Sequence, residues 1–194
     1  LFQALTTKLT AGGVTSSVTN VDYQAVPIAL TWLSFYRLSV DSGVSATLAT
    51  ITALRTACPK SAIVLAGYSQ GAQVVHESLH MVGETDRPFI TSVLLIADPL
   101  FDPNDDSASY VGAPDLGREG VFGDYPVPSW ASGRVGTLCL TGDSVCQTDP
   151  SGSHDLDELF LLDANPLAAA WIEISELFTG SVHSSGYGSD HYMA

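Results

Sequence analysis

Hydrophobic positions along the chain follow two periods, one typical of helices and one typical of buried strands. Apolar residues spaced three and four apart predict amphipathic helices within the first 60 residues and again after residue 70. The first two helical patterns end at Gly12 and at Pro59, residues that stop helices. The positions that mark the helices are Phe2, Leu5 and Leu9, then Val44, Leu48, Ile51 and Leu54, and then the segment 70–82.

Three short runs are apolar at nearly every position, and we interpret them as strands. They cover residues 62–66, 90–97 and 135–140. Strands that are apolar on both faces are typical of the centre of a parallel sheet covered by helices, and these runs alternate with the helical patterns. A further strand-like stretch spans 18–26. The order predicts an α/β fold with a doubly wound, mainly parallel sheet and helices on both faces.

The other segments are a long loop and a helical C-terminal part. Residues 98–134 hold five prolines and many Gly, Asp and Ser residues, which indicates a functional loop. Helical spacing returns at about 155–179, which we interpret as an insertion into a single domain over 1–194. Apolar side chains of the loop either line an acyl groove or cover the core edge. They are Leu100, Phe101, Tyr110, Val121, Phe122, Tyr125, Val127 and Trp130.

Composition narrows the range of partners. Asp and Glu outnumber Lys and Arg by 21 to 7, and the net charge of −14 would repel nucleic acid and anionic lipid surfaces. No apolar run approaches the roughly 20 residues that span a bilayer. We therefore expect no nucleic-acid binding and no stable membrane insertion. The chain begins at Leu1 without a signal peptide, as a mature or trimmed secreted protein would, and we expect a monomer.

A candidate nucleophile lies between the strand 62–66 and the helix after it. Gly67-Tyr68-Ser69-Gln70-Gly71 fits the pattern G-x-S-x-G, and the strand-turn-helix setting is the one that a nucleophile elbow needs. In such a turn the serine adopts a strained conformation, and we expect both glycines to avoid side-chain collisions with neighbouring elements. The alternative interpretation is a glycine-rich turn that only joins two elements.

A serine nucleophile needs a base and an orienting carboxylate, which in this fold follow it along the chain. Asp143 comes within a turn of the strand 135–140, which predicts a position at the carboxyl edge of the sheet beside Ser69. Alternatively, Asp143 only caps its own turn. Cys139 and Cys146 flank this turn at a spacing that a small disulfide loop can close, which leaves Cys58 without a partner.

Two blocks of sequence together resemble the cutinase superfamily of serine esterases, which includes acetylxylan esterases and related actinobacterial and phage lipid esterases. One block is the Ser69 motif with Ala57-Cys58-Pro59 before its strand, and the other is Cys139-Leu-Thr-Gly-Asp-Ser-Val-Cys146. The tail from His183 to Asp190 is similar to the stretch that carries the family's catalytic histidine. The resemblance implies an α/β-hydrolase-type fold and a Ser-His-Asp mechanism, and we expect no metal or other cofactor.

Three histidines are candidates for the base. His183 is favoured because the tail motif follows it, while His154, 11 residues after Asp143, and His191 are alternatives. His76 and His80 lie one turn apart on the helix after Ser69, and we interpret them as surface or packing residues rather than metal ligands.

The family resemblance also implies a first strand and turn that nothing before Leu1 provides. In the family that segment supplies one oxyanion donor and a cysteine partner for the position of Cys58, so we expect that an N-terminal segment is left out of this sequence. The other donor expected is the backbone N–H of Gln70, at the start of its helix.

The expected function is that of a secreted carboxylic ester hydrolase. The substrate would be a lipid or polyester-type ester with an apolar acyl group, such as a cutin-like polyester, an acylglycerol or a cell-envelope lipid. One alternative is a carbohydrate deacetylase of the acetylxylan type. A second alternative is a non-catalytic binding module on the same scaffold.

Overall fold

The described part of the protein contains α-helices and a parallel sheet that alternate along the chain. The computed structural model describes residues 2–26, 33–111, 117–123, 125–148 and 183. The helices are α1 (Phe2–Ala11), α2 (Leu33–Ala57) and α3 (Gln70–Met81), and the strands are β1 (Ile63–Tyr68), β2 (Ile90–Ile96), β3 (Ala108–Val111) and β4 (Val135–Leu138). Short 3-10 turns cover Arg87–Phe89 and Ser129–Ala131. These elements confirm the predicted helices and apolar strands, while the proposed insertion at 155–179 lies outside the described residues.

The four strands form one sheet in the order β1-β2-β4-β3, and every neighbouring pair is parallel. The last pairs in register are Tyr68 with Ile96 and Ile96 with Leu138, so β1, β2 and β4 end at the same edge. The turn after β1 begins with Ser69, and the loop after β4 leads to Asp143. The parallel α/β architecture confirms the predicted fold class and brings these two turns to one edge of the sheet.

Side chains along β2 alternate between two apolar clusters, as the two-residue period of a strand requires. Val93 and Leu95 belong to the main core cluster, in which Ile51 of α2 and Leu79 of α3 are also buried. Leu94 and Ile96 point to the opposite face and join a second cluster with Leu138 and Leu140. Burying an aliphatic side chain of this size contributes about 1.5–3 kcal/mol to the free energy of unfolding. The main cluster, which contains side chains from α2, α3 and the sheet, therefore holds these helices against the sheet.

The stretch 18–26 was predicted as a strand, and this prediction is wrong. Its backbone has irregular conformation and is held by side chains instead of a strand partner. Val26 receives a hydrogen bond from Gln70 and donates its N–H to Ser39. Apolar alternation alone does not make a strand where the hydrogen-bonding neighbour is a pair of polar side chains.

Two other features differ from the sequence interpretation. The loop 98–134 contains β3, four residues long and without a distinctive apolar run, which pairs with β4. The run that forms β1 was predicted to be central, yet among the described residues it pairs on one side only, with β2. Accordingly, Val64 of β1 is 49% exposed. In the same part of the chain, no helix combines the length and apolarity needed to cross a bilayer.

Candidate active site

Ser69 occupies a strained turn between β1 and α3. Its φ of 55° and ψ of −124° lie in a region that residues with a side chain rarely adopt. The turn is held from both sides, because the Ser69 N–H donates to Ile96 O at 2.9 Å and its carbonyl accepts from the N–H groups of Ala72 and Gln73. This conformation is the one expected of a nucleophile elbow, with the hydroxyl at the carboxyl edge of the sheet.

The two glycines of the motif differ in their structural role. A Cβ on Gly67 would lie 2.1 Å from the carbonyl oxygen of Gly71, so any side chain at position 67 would collide with backbone. Among the described residues, a Cβ on Gly71 would meet only the hydroxyl of Tyr23, at 4.0 Å. The expectation that both glycines prevent collisions is therefore right for Gly67 and wrong for Gly71.

Asp143 lies in a short loop closed by the Cys139–Cys146 disulfide, which confirms the predicted bridge. Its side chain is fully buried, and one carboxylate oxygen accepts the N–H of Val145 at 2.9 Å. Its main chain is fixed by hydrogen bonds with Leu140 and Gln147. The loop therefore presents a buried carboxylate in one fixed direction. Cys58 has a free thiol and is exposed.

His183 lies between Ser69 and Asp143. Its Nδ1 is 3.0 Å from both carboxylate oxygens of Asp143, and its Nε2 is 3.1 Å from the Ser69 hydroxyl oxygen. The His183 side chain is almost entirely buried. The structure thus brings together the three residues singled out from the sequence, at distances suited to proton transfer. His154 and His191 lie outside the described residues.

Gln70 connects the start of α3 to the segment before α2. As the first residue of the helix, it has a backbone N–H without an intrahelical partner. Its side chain donates to Val26 O at 2.9 Å, and Ser39 of α2 bridges to the same segment through Gln24 O. The backbone N–H can therefore face a ligand at Ser69 while the side chain ties residues 24–26 to the site.

Tyr68 contacts His183 in two ways, and the sequence analysis missed it. The two rings stack with centroids 5.3 Å apart, and the phenolic hydroxyl donates to the backbone carbonyl of His183. Burial, followed by the charge of Asp143, raises the pKa of Tyr68, which keeps its hydroxyl protonated and able to donate. No local signal reveals this contact, because position 68 is one of the two variable positions of the pattern G-x-S-x-G.

A second histidine–carboxylate pair lies behind the site. His76 Nδ1 is 2.6 Å from Asp98, which follows β2, and both side chains are buried. Burial lowers the pKa of His76, but the charge and hydrogen bond of Asp98 outweigh it and raise that pKa above 6.5 overall. His76 was expected to be a packing or surface residue, and its ion pair could not be read from the sequence. The pair joins α3 to the residue that follows β2.

Most of the loop aromatics cover the core edge rather than an open groove. Phe101 is buried against Tyr110 and the disulfide. Trp130 donates its ring N–H to Leu79 O, and the guanidinium groups of Arg87 and Arg134 lie over its ring. Tyr125 packs against His80 with the rings tilted by 37° and their centroids 4.4 Å apart. Of the two interpretations of these side chains, the described packing favours the core edge.

A parallel sheet with a serine at the strained turn after one strand, and a carboxylate after another, defines an α/β-hydrolase-type protein. Comparison with known families gives the narrower assignment. The family model described as Cutinase matches residues 2–173. The chain belongs to the cutinase family, as the sequence resemblance predicted.

Individual relatives agree with the family assignment. A cutinase from Botryotinia fuckeliana is 30% identical over 108 residues, which cover 55% of this chain and 43% of that protein. The structure of a cutinase-like protein from Cryptococcus sp. has a TM-score of 0.63 at 19% identity, with 95% of this chain and 87% of that chain covered. Trichoderma reesei cutinase in complex with a C11Y4 phosphonate inhibitor has a TM-score of 0.53 at 25% identity, covering 89% and 65%. The chain spans about half the length of the curated relatives it matches.

Proposed function

We propose that the protein is a serine carboxylic ester hydrolase in which Ser69 is the nucleophile, His183 the base and Asp143 the orienting acid. The observation that carries the proposal is the position of His183, within hydrogen-bonding distance of both Ser69 and Asp143. An imidazole between a hydroxyl and a buried carboxylate is what acyl transfer by serine needs.

The proposed reaction has two halves. His183 Nε2 takes the proton of Ser69 as the hydroxyl oxygen attacks the ester carbonyl carbon, and returns it to the departing alcohol oxygen. Water then attacks the acyl carbon while His183 accepts one of its protons. The bond between that carbon and the Ser69 oxygen breaks, His183 returns the proton to this oxygen, and the carboxylic acid leaves. The carbonyl oxygen is negative in both steps, and the Gln70 N–H at the positive end of α3 stabilises that charge.

The proposed substrate is a neutral lipid or polyester-type ester with an apolar acyl group. Phe35 and Leu38 are 52% and 62% exposed, within one turn of Ser39, whose hydroxyl lies 3.3 Å from Gln70. Exposed apolar side chains on the helix that contacts Gln70 favour an apolar substrate over a sugar. The names of the relatives, which are cutinases, support the same class.

A secreted location is part of the proposal. The buried Cys139–Cys146 disulfide holds the Asp143 loop, and such bonds persist in oxidising compartments. The single domain and the monomeric state remain predictions.

The test is active-site labelling combined with ester hydrolysis. A fluorophosphonate probe should label the wild-type chain and leave Ser69→Ala unlabelled, because the probe reacts only with an activated serine. Asp143→Asn and His183→Gln should each lower kcat for p-nitrophenyl butyrate by about 10⁴-fold, since neither leaves a working base. Ser132→Ala removes an exposed serine far from the motif in sequence and is the matched control, with labelling unchanged. A folded wild-type chain that resists the probe would favour the non-catalytic binding module.

A further inference from the structure

Two contacts of Tyr68 are with the same residue, 115 positions further along the chain. Its ring is stacked on the His183 imidazole, with 20° between the planes. Its hydroxyl donates to the backbone carbonyl of His183. One side chain therefore holds the ring and the main chain of the candidate base at the same time.

The stacking contact restrains a motion that the contacts of His183 with Asp143 and Ser69 leave open. Asp143 holds Nδ1 and Ser69 lies at Nε2, and these two contacts are on opposite edges of the ring. Rotation of the imidazole about the axis through Nδ1 and Nε2 would change the distances to Asp143 and to Ser69 very little. A flat neighbour on the ring face prevents that rotation, and the bond to the backbone carbonyl fixes the point from which the side chain extends.

The same contact suits the charge that develops during acyl transfer. The imidazole becomes positive when it takes the Ser69 proton, and the face of an aromatic ring carries partial negative charge that attracts a cation. Tyr68 belongs to the same turn as Ser69, at the end of β1. The nucleophile and the support of the base are therefore consecutive residues of one rigid segment.

We propose that Tyr68 is a positioning residue that holds His183 in the orientation needed between Ser69 and Asp143 and stabilises its charged form. This inference rests on the proposed esterase function. Tyr68 takes no part in proton transfer itself, and its effect passes through His183. The position next to the nucleophile is thus a determinant of turnover, although the motif leaves it variable.

The test compares Tyr68→Phe, which keeps the stacked ring, with Tyr68→Leu, which removes both contacts. For p-nitrophenyl butyrate, Tyr68→Leu should lower kcat about 10- to 100-fold, as expected for a misplaced catalytic group. Tyr68→Phe should lower kcat only about two- to tenfold, the equivalent of one hydrogen bond. KM should stay within about threefold in both, because a restraint on the base acts on the chemical step.

The matched control is Tyr125→Leu. Tyr125 is 38% exposed against 43% for Tyr68 and also packs its ring against a histidine, His80, but contacts none of the three candidate catalytic residues among the described contacts. The kcat and KM of Tyr125→Leu should remain at the wild-type values. A fall in kcat equal to that of Tyr68→Leu would mean that loss of any tyrosine packed on a histidine has this effect, and would overturn the proposal.

A second readout does not depend on turnover. The proton between His183 Nδ1 and Asp143 should give a low-field NMR signal in the wild-type chain, and this signal should broaden or disappear in Tyr68→Leu. An unchanged signal together with unchanged kcat would overturn the proposal, and so would a loss confined to KM, which indicates substrate contact instead. If Tyr68→Leu does not fold, the test depends on Tyr68→Phe. A wild-type kcat in Tyr68→Phe would then show that the Tyr68 hydroxyl does not position His183. Failure of the esterase proposal looks different, because the wild-type chain would then resist the fluorophosphonate probe.

Discussion

At the scale of single residues, the Ser69 turn depends on how closely two stretches of backbone approach each other. Gly67 lies against the carbonyl of Gly71, and the approach leaves no room for a Cβ. For the second glycine of the motif, Gly71, the described part of the chain offers no neighbour to a Cβ except the Tyr23 hydroxyl. The close approach therefore requires glycine at position 67 only, although the pattern G-x-S-x-G contains both glycines.

Replacing each glycine by alanine tests this difference. Gly67→Ala should lower the free energy of unfolding by about 1–3 kcal/mol, because backbone must move to admit the methyl group. Gly71→Ala should leave it unchanged or raise it by up to about 1 kcal/mol, since alanine favours the helix that begins here. Urea unfolding of the two variants checks the prediction. Equal losses in both would show that the close approach is not the deciding factor.

At the scale of elements, the position of α3 relative to β2 depends on a buried ion pair as well as on apolar packing. His76 of α3 pairs with Asp98, whose other carboxylate oxygen accepts the N–H of Leu100. The pair therefore links the helix that begins beside Ser69 to the residues that follow β2. Glu77 and Asp105 add negative charge near His76, and His80 and Tyr125 pack beside its ring.

The pair predicts how stability depends on pH. The pKa of His76 is raised in the folded state, so the folded protein binds this proton more tightly than the unfolded chain does. The resulting stabilisation is complete below the unfolded pKa of about 6.5 and is lost as pH rises through the folded pKa. Urea unfolding of the wild type between pH 5.5 and 9 should show this decline, and His76→Gln should flatten it.

His80→Gln is the control for that experiment. Partial burial and the charge of His76 lower the pKa of His80, so its titration does not produce a decline above pH 6.5. The decline should therefore persist in His80→Gln. A decline that is equally steep in wild type and His76→Gln would contradict the assignment to the buried pair.

At the scale of the whole molecule, charge and exposed apolar surface bear on the proposed substrate. A net charge of −14 disfavours the binding of anionic molecules. Phe35 and Leu38 present apolar surface on the helix that also contacts the segment next to Gln70. Both properties favour neutral esters that carry an apolar acyl chain.

Acyl-chain length is the corresponding measurement. The value of kcat/KM should rise about tenfold from p-nitrophenyl acetate to p-nitrophenyl butyrate, because added methylene groups find apolar contacts. These two substrates share a leaving group, so the comparison isolates the acyl chain. A preference for acetate would instead support a deacetylase of the acetylxylan type.

Much of the architecture and part of the candidate site were predictable from the sequence because they depend on short-range patterns. The helices and apolar strands follow from spacing within about 20 residues. The Ser69 turn and the Cys139–Cys146 loop are each defined within ten residues. These features depend on residues that are close together in the sequence. Periodicity, helix-stopping residues and the closure of a short disulfide loop do not require contacts with distant segments.

Only the tertiary structure decided which distant residues meet. Asp98 and Asp143 both follow parallel strands, and packing alone assigns the first to His76 and the second to His183. The contact of Tyr68 with His183, the pairing of β3 with β4 and the irregular conformation of 18–26 arose in the same way. Contacts over such separations depend on the closure of long loops and on the shapes that fill the core, and neither property is expressed in the spacing of residues along the chain.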